Sequence, residues 1–215
     1  MRIFVYDTET TWFINKKENN LDLQPRIIQF AWILWEIKNL STAEAGPDKL
    51  EFIEEKRINI LINPKIPIPF WSSQIHHLYD IDVQNEPFIE NKIDEILTYI
   101  NETDITIWHN IEYDEDMIKL ELKRLDKEYK YKPKQVVCTM NSSINYCKLA
   151  KKMSTSSWYK RPKLWELHKK IFWEYFIWAH DAMTDVEATL RCFIELVKQG
   201  VIKLEEKKDE VMSLF

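Results

Sequence analysis

An α/β domain built on one mixed sheet is the fold class that this sequence of 215 residues predicts. Three observations point to it. The length favours one domain over two. The first part of the chain carries apolar runs rich in Ile, Val, Phe and Trp, and the remainder alternates amphipathic helical stretches with short apolar strands. A composition of 45% hydrophobic and 30% charged residues is ordinary for a globular domain.

Arg2–Tyr6 is an apolar run expected as a buried strand, breaking off at Asp7-Thr8-Glu9-Thr10-Thr11. Arg26–Ile37 reads as a second strand, and Glu51–Ile62 alternates enough to be a third, ended by Asn63-Pro64. The Pro-punctuated stretch Pro64–Phe70 is a loop. Glu90–Ile100 sets Ile93, Ile96, Leu97 and Ile100 at helical spacing, and Asp104–Trp108 is a short buried strand. Asp114–Lys127 is an amphipathic helix, Gln135–Val137 a strand and Asn141–Lys151 a helix. Leu164, Leu167, His168 and Ile171 fit a helix opened by Pro162, and Asp185–Lys198 a long closing helix.

Thirty Lys and Arg against 35 Asp and Glu give a net charge of −5. That balance excludes a strongly basic, charge-driven nucleic-acid binder, though not a nucleic-acid enzyme whose metals supply the positive charge. No apolar run nears the ~20 residues that span a bilayer, so no membrane partner is expected. The N-terminus meets Asp7 too soon for a signal peptide. Cys138, Cys147 and Cys192, odd in number and without a Cys-x-x-Cys spacing, read as reduced thiols of a cytoplasmic protein.

Asp7 and Glu9 stand two apart at a strand end, so both carboxylates face one side. Such a pair raises its own pKa unless a cation sits between, and oxygen donors of this kind suit Mg²⁺ or Mn²⁺. Alone, the pair reads equally as a solvated strand end. Asp114 follows the polar pair His109-Asn110, and Asp185 closes the segment His180-Asp181-Ala182-Met183-Thr184-Asp185. Taken singly, helix N-caps account for Asp114 and Asp185, and a surface histidine for His180.

Together, in this order, Asp-Thr-Glu-Thr-Thr, His-Asn-x-x-x-Asp and His-Asp-Ala-x-x-Asp resemble the motifs of the DEDDh branch of the DnaQ-like 3′→5′ exonucleases. That family includes the epsilon proofreading subunit of bacterial DNA polymerase III. Pro25–Glu36 resembles its second strand, Ile75–Asp82 its Ile-His-Gly-Ile-Thr segment, and Lys163–Phe172 the helix before its last motif. The resemblance implies an RNase H-like fold with a mixed five-stranded sheet flanked by helices. It implies two Mg²⁺ (or Mn²⁺) ions held by Asp7, Glu9, Asp114 and Asp185, and His180 as the general base deprotonating the attacking water. Thr10, Phe13, Leu78, His109 and Asn110 would hold the terminal nucleotide.

The implied activity is release of nucleoside monophosphates from single-stranded or frayed DNA ends. An exoribonuclease acting on RNA 3′ ends is the near alternative, and a non-catalytic end-binding or polymerase-accessory module the distant one. Lys148, Lys151, Lys152, Lys160, Lys163, Lys169 and Lys170 with Arg161 form a basic stretch that either tracks a phosphate backbone or is a solvated face. The exonuclease domain is expected over 1–200, followed by a tail over 201–215. The tail ends in Leu214-Phe215, which resembles the sliding-clamp-binding peptide of replication proteins, a frayed apolar end being the alternative.

Two departures stand out. There are 2 glycines where average usage gives about fifteen, and there are 9 tryptophans. Trp12, Trp108, Trp158 and Trp173 occupy positions where relatives often carry glycine, and His77 replaces the glycine of the Ile-His-Gly triplet. Trp173 also follows an amphipathic helix where a left-handed cap is expected. One reading joins the two anomalies: UGA codons of the gene specify glycine and stand in this sequence as tryptophan. An AT-rich genome that avoids glycine codons explains the scarcity but not where the tryptophans fall. Trp32 lies within an apolar strand run and reads as a true core residue.

Overall fold

The computed structural model describes residues 1–38, 50–151, 159–174 and 181–204. Within them a five-stranded sheet runs in the order β3-β2-β1-β4-β5. Its strands are β1 (Arg2–Thr10), β2 (Ile27–Lys38), β3 (Glu51–Leu61), β4 (Ile105–Trp108) and β5 (Val136–Cys138). β1–β2 and β2–β3 are antiparallel, whereas β1–β4 and β4–β5 are parallel. This is the mixed sheet expected, with every strand in its expected place. β1 is longer than its apolar run. Asp7-Thr8-Glu9-Thr10 stays in the ladder, Asp7 opposite Ala31 and Glu9 opposite Gln29, with a register shift between Glu9 and Thr10.

Alternation along β1 divides the core. Ile3 and Val5 point to the face packed by Val186, Leu190 and Phe193 of the closing helix α8 (Ala182–Lys198) and by Leu167 of α7 (Leu164–Phe172). Phe4 and Tyr6 point to the other face, against Ile93, Ile96 and Ile100 of α3 (Ile93–Glu102) and Met117, Ile118 and Leu122 of α4 (Ile111–Arg124). The aromatic residues of the second face stack tightly: ring centroids of Tyr6 lie 5.2 Å from Phe30 and 5.1 Å from Trp108. Trp32 is fully buried there, as expected of a core residue.

Several boundaries differ from expectation. Short helices α1 (Phe70–His76) and α2 (Asp80–Val83) follow the Pro-rich loop and were not foreseen. The helix expected over Asn141–Lys151 is instead two single turns, α5 (Thr139–Ser142) and α6 (Ile144–Cys147). They part at Ser143, whose hydroxyl turns back onto the Thr139 carbonyl at 2.6 Å, a local bond that competes with helix continuation. α4 and α8 each begin three residues earlier than expected, so neither Asp114 nor Asp185 is an N-cap. Asp181 caps α8 instead, accepting the Thr184 N–H at 3.0 Å.

All three cysteines are buried and free. Among the described residues no helix is long and apolar enough to cross a membrane.

Candidate active site

Strand alternation places the first two carboxylates. Asp7 and Glu9 share the parity of Ile3 and Val5, so they emerge on the α8 side of the sheet, beyond the end of its apolar packing. α8 packs against β1 and carries Asp185 in its first turn. Oxygen atoms of Asp7, Glu9 and Asp185 all lie within 4.8 Å of one another. Asp114 arrives from the opposite layer. It sits in the first turn of α4, 3% exposed, and accepts the Thr8 hydroxyl at 2.9 Å. Thr8 thus ties the fourth carboxylate to the strand that bears the first two.

The electrostatics follow from crowding. Burial, then repulsion from Asp114, Asp185 and Glu9, holds the Asp7 carboxyl well above the usual carboxylate range. Burial, Asp185 and Asp114 push Glu9 up to about 8. Burial pushes Asp114 up to about 7, against the opposing pull of the Thr8 hydroxyl. Like charges this close take up protons or a cation. A hard divalent ion suits an all-carboxylate donor set, so the residues present fit a metal centre.

A cavity of about 350 Å³ opens over this cluster, and Thr10, Phe13, His109 and Asn110 line it. Sequence reasoning missed the groups that shape its wall. Trp71 of α1 stacks on Phe13 with centroids 6.4 Å apart, and both rings are more than half exposed. Tyr113 donates to the Trp12 carbonyl at 3.2 Å and shares a 2.6 Å bond with the Thr10 hydroxyl, fixing the turn that leads to Phe13. Ser72 of α1 donates to the Thr10 carbonyl at 3.2 Å. His76 Nδ1 accepts the Leu78 N–H at 3.1 Å, which leaves Nε2 to donate to Ser72 at 3.0 Å. An aromatic residue beside a Pro-punctuated loop, as Trp71 is, was the available signal.

One expected substrate contact, Leu78, is placed differently, and a second, His109, lines the cavity with its ring nitrogens held by protein. Leu78 packs with Ile28, Ile68 and Val83 rather than lining the cavity, and Ile75 and His76 line it instead. His109 has both ring nitrogens engaged by protein: Nε2 lies 3.1 Å from the Pro162 carbonyl and Nδ1 2.9 Å from the Thr139 hydroxyl. A carbonyl only accepts, so Nε2 carries the proton and Nδ1 accepts from Thr139. Burial lowers the His109 pKa to about 4, which keeps this neutral form at physiological pH. Asn110 adopts the left-handed conformation at φ 77° where β4 turns into α4. His180 lies outside the described residues, as do Trp158, Leu214 and Phe215.

The RNase_T exonuclease family model matches residues 4–193. The chain belongs to this exonuclease family. A comparison with curated proteins gives no significant sequence match. Among solved structures, the chain is similar to the nuclease domain of 3′hExo, described as a DEDDh family member bound to rAMP. That match has a TM-score of 0.68 and 14% identity over 95% of this chain and 96% of the other. It is similar to exonuclease X in complex with 5′ overhanging duplex DNA, with a TM-score of 0.56 and 16% identity over 94% of each chain. It also resembles E. coli Exonuclease I in complex with a dT13 oligonucleotide, with a TM-score of 0.61 and 15% identity, over 92% of this chain and 41% of that one. At such identities the likeness is one of fold: the five-stranded mixed sheet flanked by helices is the RNase H-like exonuclease fold.

The left-handed caps sharpen the question of the tryptophans. Trp173 ends α7 at φ 61°, ψ 18°, with its ring 86% exposed, and His77 ends α1 at φ 60°. Trp12 lines the cavity. Trp108 is fully buried against Tyr6, and its indole N–H, like that of the core residue Trp32, finds no acceptor among the described residues.

Proposed function

We propose that this chain is a metal-dependent 3′→5′ exonuclease that hydrolyses the last phosphodiester bond of single-stranded or frayed DNA. Water would attack phosphorus as the bond to the penultimate O3′ breaks, giving a nucleoside 5′-monophosphate and a strand with a new 3′-hydroxyl. The observation that carries this reading is the meeting of Asp7, Glu9 and Asp185 within 4.8 Å, on a fold of the exonuclease family.

In this reading Asp7, Glu9 and Asp185 would hold one Mg²⁺ or Mn²⁺ ion, and Asp114 would help to hold a second. The ions, when bound, would stabilise the attacking and leaving oxygens of an in-line displacement. Phe13 and Trp71 offer flat apolar surface to the terminal base, while Tyr113 and Ser72 hold the Thr10–Trp12 backbone against which it rests. His180 takes the role of general base by its resemblance to the family motif. Four converging carboxylates speak against a merely end-binding module, which has no use for them.

An exoribonuclease is the second reading. Of the solved structures with this fold, one is bound to rAMP and another concerns 3′-end recognition of a histone mRNA stem-loop by a 3′-exonuclease. The test is digestion of 5′-labelled single-stranded DNA and RNA of one sequence, with Mg²⁺, Mn²⁺ or EDTA. Laddering from the 3′ end that EDTA and Asp185→Ala both abolish is the expected result, and the preferred strand decides between the readings. Silence from the folded protein under every condition refutes both. A proofreading role beside a polymerase, a cytoplasmic site of action and a clamp-binding tail over 201–215 belong to the same proposal. Deleting Leu214-Phe215 should remove binding to a sliding clamp.

A further inference from the structure

We infer that a second arm of the groove, walled by Arg161, Lys163 and Trp165, seats the nucleotides upstream of the scissile bond. One base would stack on Trp165, and phosphates would pair with the two cations. This rests on the reading that the acidic cluster is where the bond breaks. A second cavity, of about 580 Å³, shares Asp7, Asp185, Phe13, His109 and Asn110 with the first. It continues to Arg161, Lys163 and Trp165, none of which line the first.

Charge explains why such an arm is needed. The first cavity brings four carboxylates to a ligand that is itself a polyanion. Among the described residues, Arg161 and Lys163 are the only Arg or Lys lining either cavity. The Arg161 side chain is half exposed and bonded to Glu112 at 3.2 Å, an exposed pair of the weak kind that a phosphate can displace. Trp165 is 41% exposed, and base stacking on such a ring tolerates any sequence.

The wall is held rather than loose. The Lys163 N–H donates to the Glu166 carboxylate at 2.9 Å at the start of α7. His109, at the end of β4, donates to the Pro162 carbonyl. His109 is therefore a positioning residue, joining the wall to the turn that leads to Asp114.

The test measures binding of a fluorescent dT oligonucleotide by anisotropy in EDTA, and hydrolysis in Mg²⁺ of the same oligonucleotide and of thymidine 5′-monophosphate p-nitrophenyl ester. Trp165→Ala should weaken oligonucleotide binding about tenfold or more, with Trp165→Phe retaining most of it. Arg161→Gln and Lys163→Gln should each flatten the salt dependence of log K by about 0.7, a readout that mere loss of structure does not mimic. The ratio of oligonucleotide to ester hydrolysis should fall in step. Unchanged affinity and salt slope in all these folded variants, or equal losses on ester and oligonucleotide, overturn the inference. Binding with the expected sensitivities but no hydrolysis by the wild type would sink the exonuclease reading and leave this arm standing as a binding surface.

Discussion

Replacing Trp173 by glycine should stabilise the protein, although it deletes the largest side chain available. The residue ends α7 in the left-handed conformation, with its N–H on the Lys169 carbonyl at 2.9 Å. That conformation costs an L-residue about 1–2 kcal/mol. Glycine avoids the cost but returns about 0.5–1 kcal/mol through the freedom of its unfolded chain. With the ring 86% exposed, little apolar burial is forfeited. The net gain is about 0.5–1 kcal/mol, or roughly 1–4 °C in Tm for a domain of this size. Thermal unfolding of Trp173→Gly beside Trp173→Ala checks it, because alanine removes the indole but keeps the Cβ that causes the strain. A lower Tm for the glycine variant, or an equal rise for alanine, refutes the reasoning. The gene offers a separate check: TGG codons at 12, 108 and 173 would exclude recoding, whereas TGA at these sites would make glycine the native residue.

Glu9→Gln and Asp185→Asn should each reduce nuclease activity to background in the gel assay while leaving the fold intact by circular dichroism. The metal-free protein should lose stability as pH climbs from about 4.5 to about 8, because the folded state holds a proton on Glu9 that the unfolded state has released. Saturating Mg²⁺ should restore about 2.7 kcal/mol at a hundred times its Kd, and more at the alkaline end; Glu9→Gln should flatten the slope in calorimetry. His109, held down from 6.5 to about 4, works in the opposite sense, withdrawing stability as pH falls through that window. Glu121→Ala should cost about 3–5 kcal/mol in denaturant unfolding. Its side chain is 1% exposed, pairs with Arg124 at 3.0 Å and accepts the Ile27 N–H at 3.2 Å. A loss below about 1 kcal/mol would mean that removing Glu121 does not strand Arg124 as an uncompensated buried charge.

Four strands were legible as apolar runs and β3 by its alternation, whereas the carboxylates stood out only together, by the order and spacing in which their motifs resemble the family's. β1 outran its apolar stretch because ladder bonds to β2 hold Asp7-Thr8-Glu9-Thr10 extended, a tertiary effect that local propensity does not register. The early starts of α4 and α8 were hidden for a related reason. Asn110 enters α4 from a left-handed conformation, and Asp181 rather than Asp185 caps α8. The bond from His109 to the Pro162 carbonyl spans 53 positions and uses a backbone acceptor, so no residue type could signal it. Leu78 misled because resemblance to a motif gives a position in the chain, not the direction of a side chain.

β1 is the middle strand of the sheet, flanked by β2 on one side and β4 on the other. Its amides sit in the part of a domain that opens only when everything opens. The segment bearing Phe13 is different. It is fastened by a handful of bonds, among them Gln24 to the Asn15 and Glu18 carbonyls and Arg124 to those of Leu21, Gln24 and Pro25. Heating should therefore strip the protein of its grip on a strand before it disturbs the carboxylates, so that activity is lost before the sheet unfolds. Amide exchange would register this as a fast population around residue 13 and a slow one along β1.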